Sequence, residues 1–272
     1  DKKLHINEIY NLVLLELNQI INSNYNSKEI IHVILDKCYY DNQILTEITE
    51  HKILTKNAKF EFKVLCYPKE LLKELKKKFN SINLNITNFF CTNYIKTFSY
   101  QSKLDESVVS FLEIGFERSC IAIYDRNKLK FIHSIPVGGN HITKDISKIF
   151  KISLNDAEKI KQSFNQSQTE FSYQANNKNN EIDVRDFISN NISVNLLKKV
   201  ILYRIQEIID LIFKETISNK LNINLSNSNL YLIGEGSKLL NNNSFYLTDK
   251  FNLKSIKSYN ETNDTILSCA SI

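Results

Sequence analysis

The chain has 272 residues, with 35 Lys and Arg against 30 Asp and Glu, for a formal net charge of +5. Hydrophobic residues make up 42% and charged residues 24%, the proportions of a globular chain with room for a large core and roughly two domains. Acids and bases are interspersed, which argues against nucleic-acid binding through a basic patch, and no apolar run reaches the roughly 18 to 20 residues of a membrane helix. No charged start leads into an apolar h-region, so no signal peptide is expected. Cys38, Cys66, Cys91, Cys120 and Cys269 are odd in number and have neither zinc-ligand nor C-x-x-C spacing. They fit thiols in a reducing cytoplasm, without a disulfide framework or structural metal. Met is absent while Asn, Lys and Ile abound, as AT-rich coding gives, and the chain is expected to start inside a longer reading frame.

Residues 5–22 carry apolar residues at helical spacing and predict an amphipathic helix. A polar joint at 23–28 precedes Ile30–Leu35, a buried-type strand. Residues 59–66, KFEFKVLC, alternate with period two, as a half-exposed strand does. Pro68 opens the helix KELLKELKKKF, where a missing N–H costs nothing. Residues 83–91, NLNITNFFC, predict a further strand, so that 28–100 form a small β/α unit. From Ser107 the pattern changes to three successive strands, SVVSFLEIG, SCIAIYD and LKFIHSIPVGG, with DRNK as the clearest turn. A helix follows from about Asn140 to Phe150, and another from Ser153, where Ser153 and Asp156 have capping-box spacing. Residues 163–191 are mostly polar and predict a surface excursion with at most a short hairpin. The longest helix is expected over 193–217, with Leu197, Ile201, Ile205, Ile208 and Ile212 on its buried face. LYLIGEGS then predicts a strand running into a glycine turn.

All five glycines fall in three places, Gly115, Gly138 with Gly139, and Gly234 with Gly236, and each place ends a predicted strand. Tight turns account for any one of them as readily as close approach to a ligand does. The order of parts says more: a three-strand meander, two helices, a long helix and a strand ending in Gly-x-Gly match the C-terminal half of an actin-like nucleotide-binding fold.

Residues 136–164, PVGGNHITKDISKIFKISLNDAEKIKQSF, resemble the corresponding segment of the FtsA family of bacterial cell-division proteins. Upstream, IIHVILDKCYYDNQ is similar to the start of that family's inserted subdomain 1C, and downstream LLKKVILYRIQEIIDLIF is similar to the long helix of its subdomain 2B. The resemblance covers nearly the whole chain. It implies an α/β, actin-like (ribonuclease H-like) fold with an inserted small β/α subdomain (1C, SHS2-like). The implied divisions are 1–27 as a remnant of subdomain 1A, 28–104 as 1C, 105–150 as the first part of 2A, 151–228 as 2B, and 229–272 as the second part of 2A. The family's first phosphate loop and its C-terminal amphipathic membrane helix find no counterpart in the sequence.

The family's second phosphate loop reads Asp-Ile-Gly-Gly-Gly-Thr-Thr-Asp, and Glu113, Ile114, Gly115, Phe116, Glu117, Arg118, Ser119 and Cys120 align with it. Phe116 and Glu117 bring side chains where bare N–H groups would cradle phosphate oxygens. A carboxylate about 4 Å from a phosphate costs on the order of 4 kcal/mol at an effective dielectric near 20, which Arg118 offsets if it turns inward. A plain hairpin turn with Glu117 and Arg118 in solvent fits equally well. Glu158 and Lys161, three apart on one helix face, match ribose contacts in the superfamily, and a surface ion pair explains them as well. Gly234, Glu235, Gly236 and Ser237 stand where the family's adenosine loop carries its glycines. The resemblance thus implies ATP with Mg as cofactor at these positions, with at most weak ATPase activity. Lys144 and Asp145 are expected on a solvated helix face, and His141 in a structural role.

The same resemblance implies a structural adaptor. Subdomain 2B of the family receives the C-terminal tail of the tubulin homologue FtsZ, and Lys198, Lys199 and Arg204 could offer it charge. Self-association into filaments and a place on the cytoplasmic face of the inner membrane, at the division septum, are also implied. An actin-like scaffold of the PilM type, from type IV pilus assembly, is the alternative, since it shares an inserted subdomain and an Ile-Pro-x-Gly-Gly-Asn segment. The longer Asn-His-Ile-Thr-Lys-Asp-Ile string and the DAEKIK helix favour FtsA. A sugar kinase of the superfamily is disfavoured, because no acidic base in a substrate-domain motif can be named.

Overall fold

The structure is a computed structural model describing residues 6–40, 43–45, 58–164, 193–218, 225–226, 228–240 and 252–259. The chain divides into two compact units, Asp1–Lys96 with Thr265–Ile272, and Thr97–Asp264.

In the first unit, α1 (Ile6–Asn24) precedes a three-stranded antiparallel sheet of order β2-β1-β3, from β1 (Lys28–Tyr40), β2 (Gln43–Leu45) and β3 (Ala58–Pro68). β1 and β3 pair from Lys28↔Pro68 to Tyr40↔Ala58, with irregularities at Ile30/His32 and Leu35/Lys37. Pro68 ends β3 and stands at the N-cap position of α2 (Lys69–Asn80), one residue before the first helical position the sequence suggests, and makes no side-chain cap. The strand expected at 83–91 does not form. Residues 84–91 are irregular, and Asn83 adopts φ 59°. Ile82 and Leu84 are exposed, so the alternation there has no face to bury. The Cys91 N–H goes to His32 Nε2 at 2.9 Å instead of to a sheet ladder, and Tyr94 meets the His32 ring edge-on. This burial lowers the pKa of His32. A helix, α3 (Thr92–Gln101), follows.

The second unit is built on a five-stranded mixed sheet of order β6-β5-β4-β7-β8. Its strands are β4 (Val108–Ile114), β5 (Ser119–Asp125), β6 (Lys128–Ile135), β7 (Asn229–Ile233) and β8 (Ser255–Ser258). β6, β5 and β4 form the antiparallel meander, while β7 runs parallel to β4 and β8 parallel to β7. Numbered within the unit, the order is 3-2-1-4-5. Between β6 and β7 the chain passes through α4 (Gly139–Phe150), α5 (Leu154–Ser163) and α6 (Val194–Ser218). The excursion expected at 163–191 lies, beyond Phe164, outside the described residues.

Strand alternation gives the sheet two buried faces. Leu112, Ile114, Ile121, Ile123, Leu230 and Leu232 join one apolar cluster with Ile142 and Ile146 of α4, Ile160 of α5 and the inner face of α6. Leu197, Ile201, Ile205, Ile208 and Ile212 are all at most 2% exposed, as their spacing predicts. Each such side chain contributes roughly 1.5–3 kcal/mol by leaving water. On the other strand positions, Phe111 lies tilted against Tyr231 and meets Tyr124 edge-on, and Tyr124 Oη lies 2.8 Å from Thr97 Oγ1. Ser153 caps α5 by accepting the Asp156 N–H at 3.1 Å and donating to the Asp156 carboxylate at 2.6 Å. A short 3-10 helix, Glu235–Leu240, follows the glycine turn after β7. Neither it nor β8 is foreseen from the sequence. Among the described residues no helix is long and apolar enough to cross a membrane.

Candidate functional site

Ligands of open α/β sheets bind beyond the carboxyl ends of parallel strands. Here β4 and β7 end at Ile114 and Ile233, and the three glycine sites meet at that end. A Cβ on Gly138 would stand 2.5 Å from the Gly115 carbonyl oxygen and 2.7 Å from that of Phe116. Gly234 has φ +82°, and its Cβ would lie 2.9 Å from the Ile114 oxygen. The glycines therefore let the β4–β5 turn, the start of α4 and the turn after β7 approach closer than any side chain allows.

The β4–β5 turn is stapled to α4. Gly115 N–H donates back to the Arg118 carbonyl at 2.9 Å, which closes the turn. The Gly139 and Asn140 N–H groups donate to the carbonyls of Gly115 (2.8 Å) and Phe116 (2.7 Å), so two of the orphan donors of the helix start are satisfied by the hairpin. Asn140 Nδ2 donates to the Glu117 carboxylate at 2.6 Å, and Ser119 Oγ donates to the Val137 carbonyl at 2.7 Å. Phe116, Glu117 and Arg118 are exposed, Phe116 to 60%. His141 Nδ1 accepts the Gly138 N–H at 3.2 Å, the structural role its position suggests.

Glu158 and Lys161 are brought to the same place. Lys161 is only 7% exposed, and its ammonium donates to Gly139 O (3.1 Å), Thr143 Oγ1 (2.9 Å) and Glu158 Oε2 (2.7 Å). A lysine has three donors, and all three are spent. Thr143 Oγ1 donates in turn to Glu158 at 2.5 Å, and Gln162 to its other oxygen at 2.9 Å. Burial pushes the Glu158 carboxyl up, but the hydrogen bonds from Lys161, Thr143 and Gln162 outweigh it and hold the group below its ordinary value. On the third side, Ser237 is buried and its Oγ donates to the Gly234 carbonyl at 2.6 Å, while exposed Glu235 pairs with Lys238 at 2.7 Å.

The residues named for a partner surface lie on α6, away from this crevice in sequence. Lys199 is exposed and Lys198 half-buried. Arg204 has its fork on Asp145, at 2.6 and 3.0 Å, and a further nitrogen on Glu207 at 2.5 Å. Asp145 is thus not the solvated helix residue expected, because a cation 59 residues away in sequence packs α6 onto α4 through it. Sequence reasoning missed Leu196 and Tyr203, which are 44% and 68% exposed. With Lys199 they follow helical spacing on the outer face of α6, and exposed apolar residues at that spacing were the available signal. Among the described residues no group of three or more His, Cys, Asp or Glu could hold a metal ion.

A family model described as Cell division protein FtsA matches residues 111–264, more than half of the chain. The chain belongs to the FtsA family. The FtsA of Streptococcus pneumoniae serotype 2 is 27% identical over 116 residues, which cover 40% of this chain and 25% of that protein. The match therefore spans a quarter of the curated relative's length. Among solved structures, a PilM-PilN type IV pilus biogenesis complex matches with TM-score 0.60 and 15% identity, over 96% of this chain and 64% of that one. MreB5 of Spiroplasma citri bound to ADP matches with TM-score 0.54 and 18% identity, over 75% and 65%. At such identities the likeness is one of fold, and it places this chain in the actin-like ATPase fold.

A nucleotide at this edge needs free N–H donors for its phosphates and a free polar pair for its ribose. As folded, the chain offers a carboxylate at the hairpin, a lysine whose donors are spent, and a serine bonded to its own turn. The residues of this edge do not fit the group.

Proposed function

We propose that this FtsA-family chain is a structural adaptor of bacterial cell division that binds the C-terminal tail of FtsZ and ties the division ring to the cytoplasmic face of the inner membrane. The family match across 111–264 carries this reading, since it takes in the β4–β5 hairpin, α4, α5, α6 and β7. Residues 28–104 correspond in this reading to subdomain 1C, and 151–228 to the tail-binding subdomain 2B. Filament formation belongs to the same proposal.

The tail surface is the outer face of α6. Leu196 and Tyr203 give a peptide apolar contacts, and Lys199, flanked by Lys198, gives it charge. Arg204 contributes by fixing α6 on α4, because its guanidinium is held by Asp145 and Glu207. Anisotropy of a labelled FtsZ tail peptide, with the folded full chain at low salt, tests the reading. Lys198→Glu with Lys199→Glu should weaken binding about tenfold at low salt and less at high salt, as a screened rim contact does. Tyr203→Ala should weaken it at both. A folded chain that binds no tail at low salt defeats the proposal.

A further inference from the structure

The edge at the end of β4 and β7 carries charges of the chain's own on two sides, exposed Glu117 on the hairpin and buried Lys161 on α5. Glu117, exposed on the hairpin, accepts from Asn140 Nδ2 of the first turn of α4 at 2.6 Å, near a helix start that favours an anion. The Gly115 and Phe116 carbonyls take the first N–H groups of the helix. Lys161 then ties the Gly139 carbonyl to Glu158 and Thr143 from the other side, in a site where its ammonium is nearly dry.

We propose that Glu117 and Lys161 form a built-in lock that sets this edge without a nucleotide: Glu117, an internal anion, ties the β4–β5 hairpin to α4 through Asn140, and Lys161, an internal cation, braces the start of α4 against α5. The inference rests on the FtsA-family reading only in that the family implies a nucleotide here. It makes the hairpin nucleotide-independent and the adaptor constitutively set at this edge. A polyphosphate entering the crevice would meet the Glu117 charge and would have to take donors from a lysine already bonded three times.

The test uses the full chain and two probes, Mg-ATP and inorganic pyrophosphate, read by thermal melting and calorimetry. The wild type should show no shift with either. Phe116→Gly with Glu117→Gly should gain a dose-dependent rise in melting temperature with pyrophosphate, of about 2 °C or more, as a ligand for the folded state gives. Glu117→Gln keeps the side-chain shape and removes the charge, so it covers the case in which the double glycine variant does not fold. It should show the same response, smaller. Saturable Mg-ATP binding by the wild type overturns the lock. So does a pyrophosphate response equal in wild type and Glu117→Gln, or absent from every folded variant. Tail binding alongside saturable ATP binding would sink the lock and leave the adaptor reading standing. A locked crevice without tail binding would do the reverse.

Discussion

The β5–β6 turn consists of Arg126 and Asn127, both left-handed with φ 49° and 64°, between the paired Asp125 and Lys128. The β4–β5 turn, one strand away in the same sheet, spans Gly115–Arg118 and gives two carbonyls and a carboxylate to α4. The first reverses the chain with a backbone twist that suits the strands it joins; from outside, the Ser107 carbonyl takes the Arg126 N–H at 2.6 Å and the Gln101 amide donates to Asn127, and neither contact needs a side chain to be missing. The second takes its shape from Gly138 and Asn140, more than 20 residues further along. A turn that depends on distant partners can be remodelled by them, and this is the turn that lies at the ligand end of the sheet.

Breaking the distant support should have the largest effect. Gly138→Ala forces a Cβ to 2.5–2.8 Å from three backbone atoms of the hairpin, none of which can swing away as a side-chain tip would. The expected loss is about 3 kcal/mol, the upper range for overpacking, read by urea unfolding. A loss below about 1 kcal/mol would mean that the hairpin and α4 are not held together as described.

Lys161→Met comes next, since it strands a partly buried carboxylate. Glu158 is 29% exposed at its side chain, so the cost is below that of a fully buried pair, at about 2 kcal/mol. The pH dependence follows from the depressed folded pKa of Glu158. Such a group adds stability above its unfolded value, near 4.5, and loses it as pH falls through the folded value. Melting from pH 7 down to 3 should therefore show a wild-type decline beginning below about pH 5, and Lys161→Met should flatten it. An unchanged decline in the variant would assign it to other carboxylates.

Much of the second unit is legible in sequence because its signals are local. Alternation marks β4, β5 and β6, the Ser153–Asp156 spacing marks the start of α5, and the isoleucine period marks the inner face of α6. β8 is only four residues, too short for a pattern, and draws its register from β7. NLNITNFFC alternates as a strand does but has no sheet to join among the described residues, and Cys91 is claimed by His32. At the site, the glycines are visible as three places in the sequence, yet their meeting depends on β4 pairing in parallel with β7 across more than 100 residues. Glu158 and Lys161 read as a helix pair, while the third and fourth members of their network, Thr143 and the Gly139 carbonyl, come from another helix. Long-range pairing leaves no trace in local periodicity.

The smallest effect belongs to the β5–β6 turn, whose outside hydrogen bonds survive the substitution. Arg126→Gly relieves an L-residue of φ 49° and so gains in the folded state, but it also frees the unfolded chain, which costs stability. The N–H at 126 still donates to the Ser107 carbonyl and Asn127 keeps its contact with Gln101 in the variant, so nothing tertiary is lost. The two backbone terms nearly cancel, and the expected change is within about 0.5 kcal/mol in either direction. Urea unfolding side by side with Gly138→Ala makes the contrast measurable in one experiment. The Arg126 variant should also leave FtsZ-tail binding unchanged, since among the described residues the turn bonds to Ser107 and Gln101 rather than to α6. A loss above about 1.5 kcal/mol at Arg126, on the scale of a capping or packing defect, would show that the Arg126 side chain itself holds this turn, and the difference drawn between the two hairpins would fall.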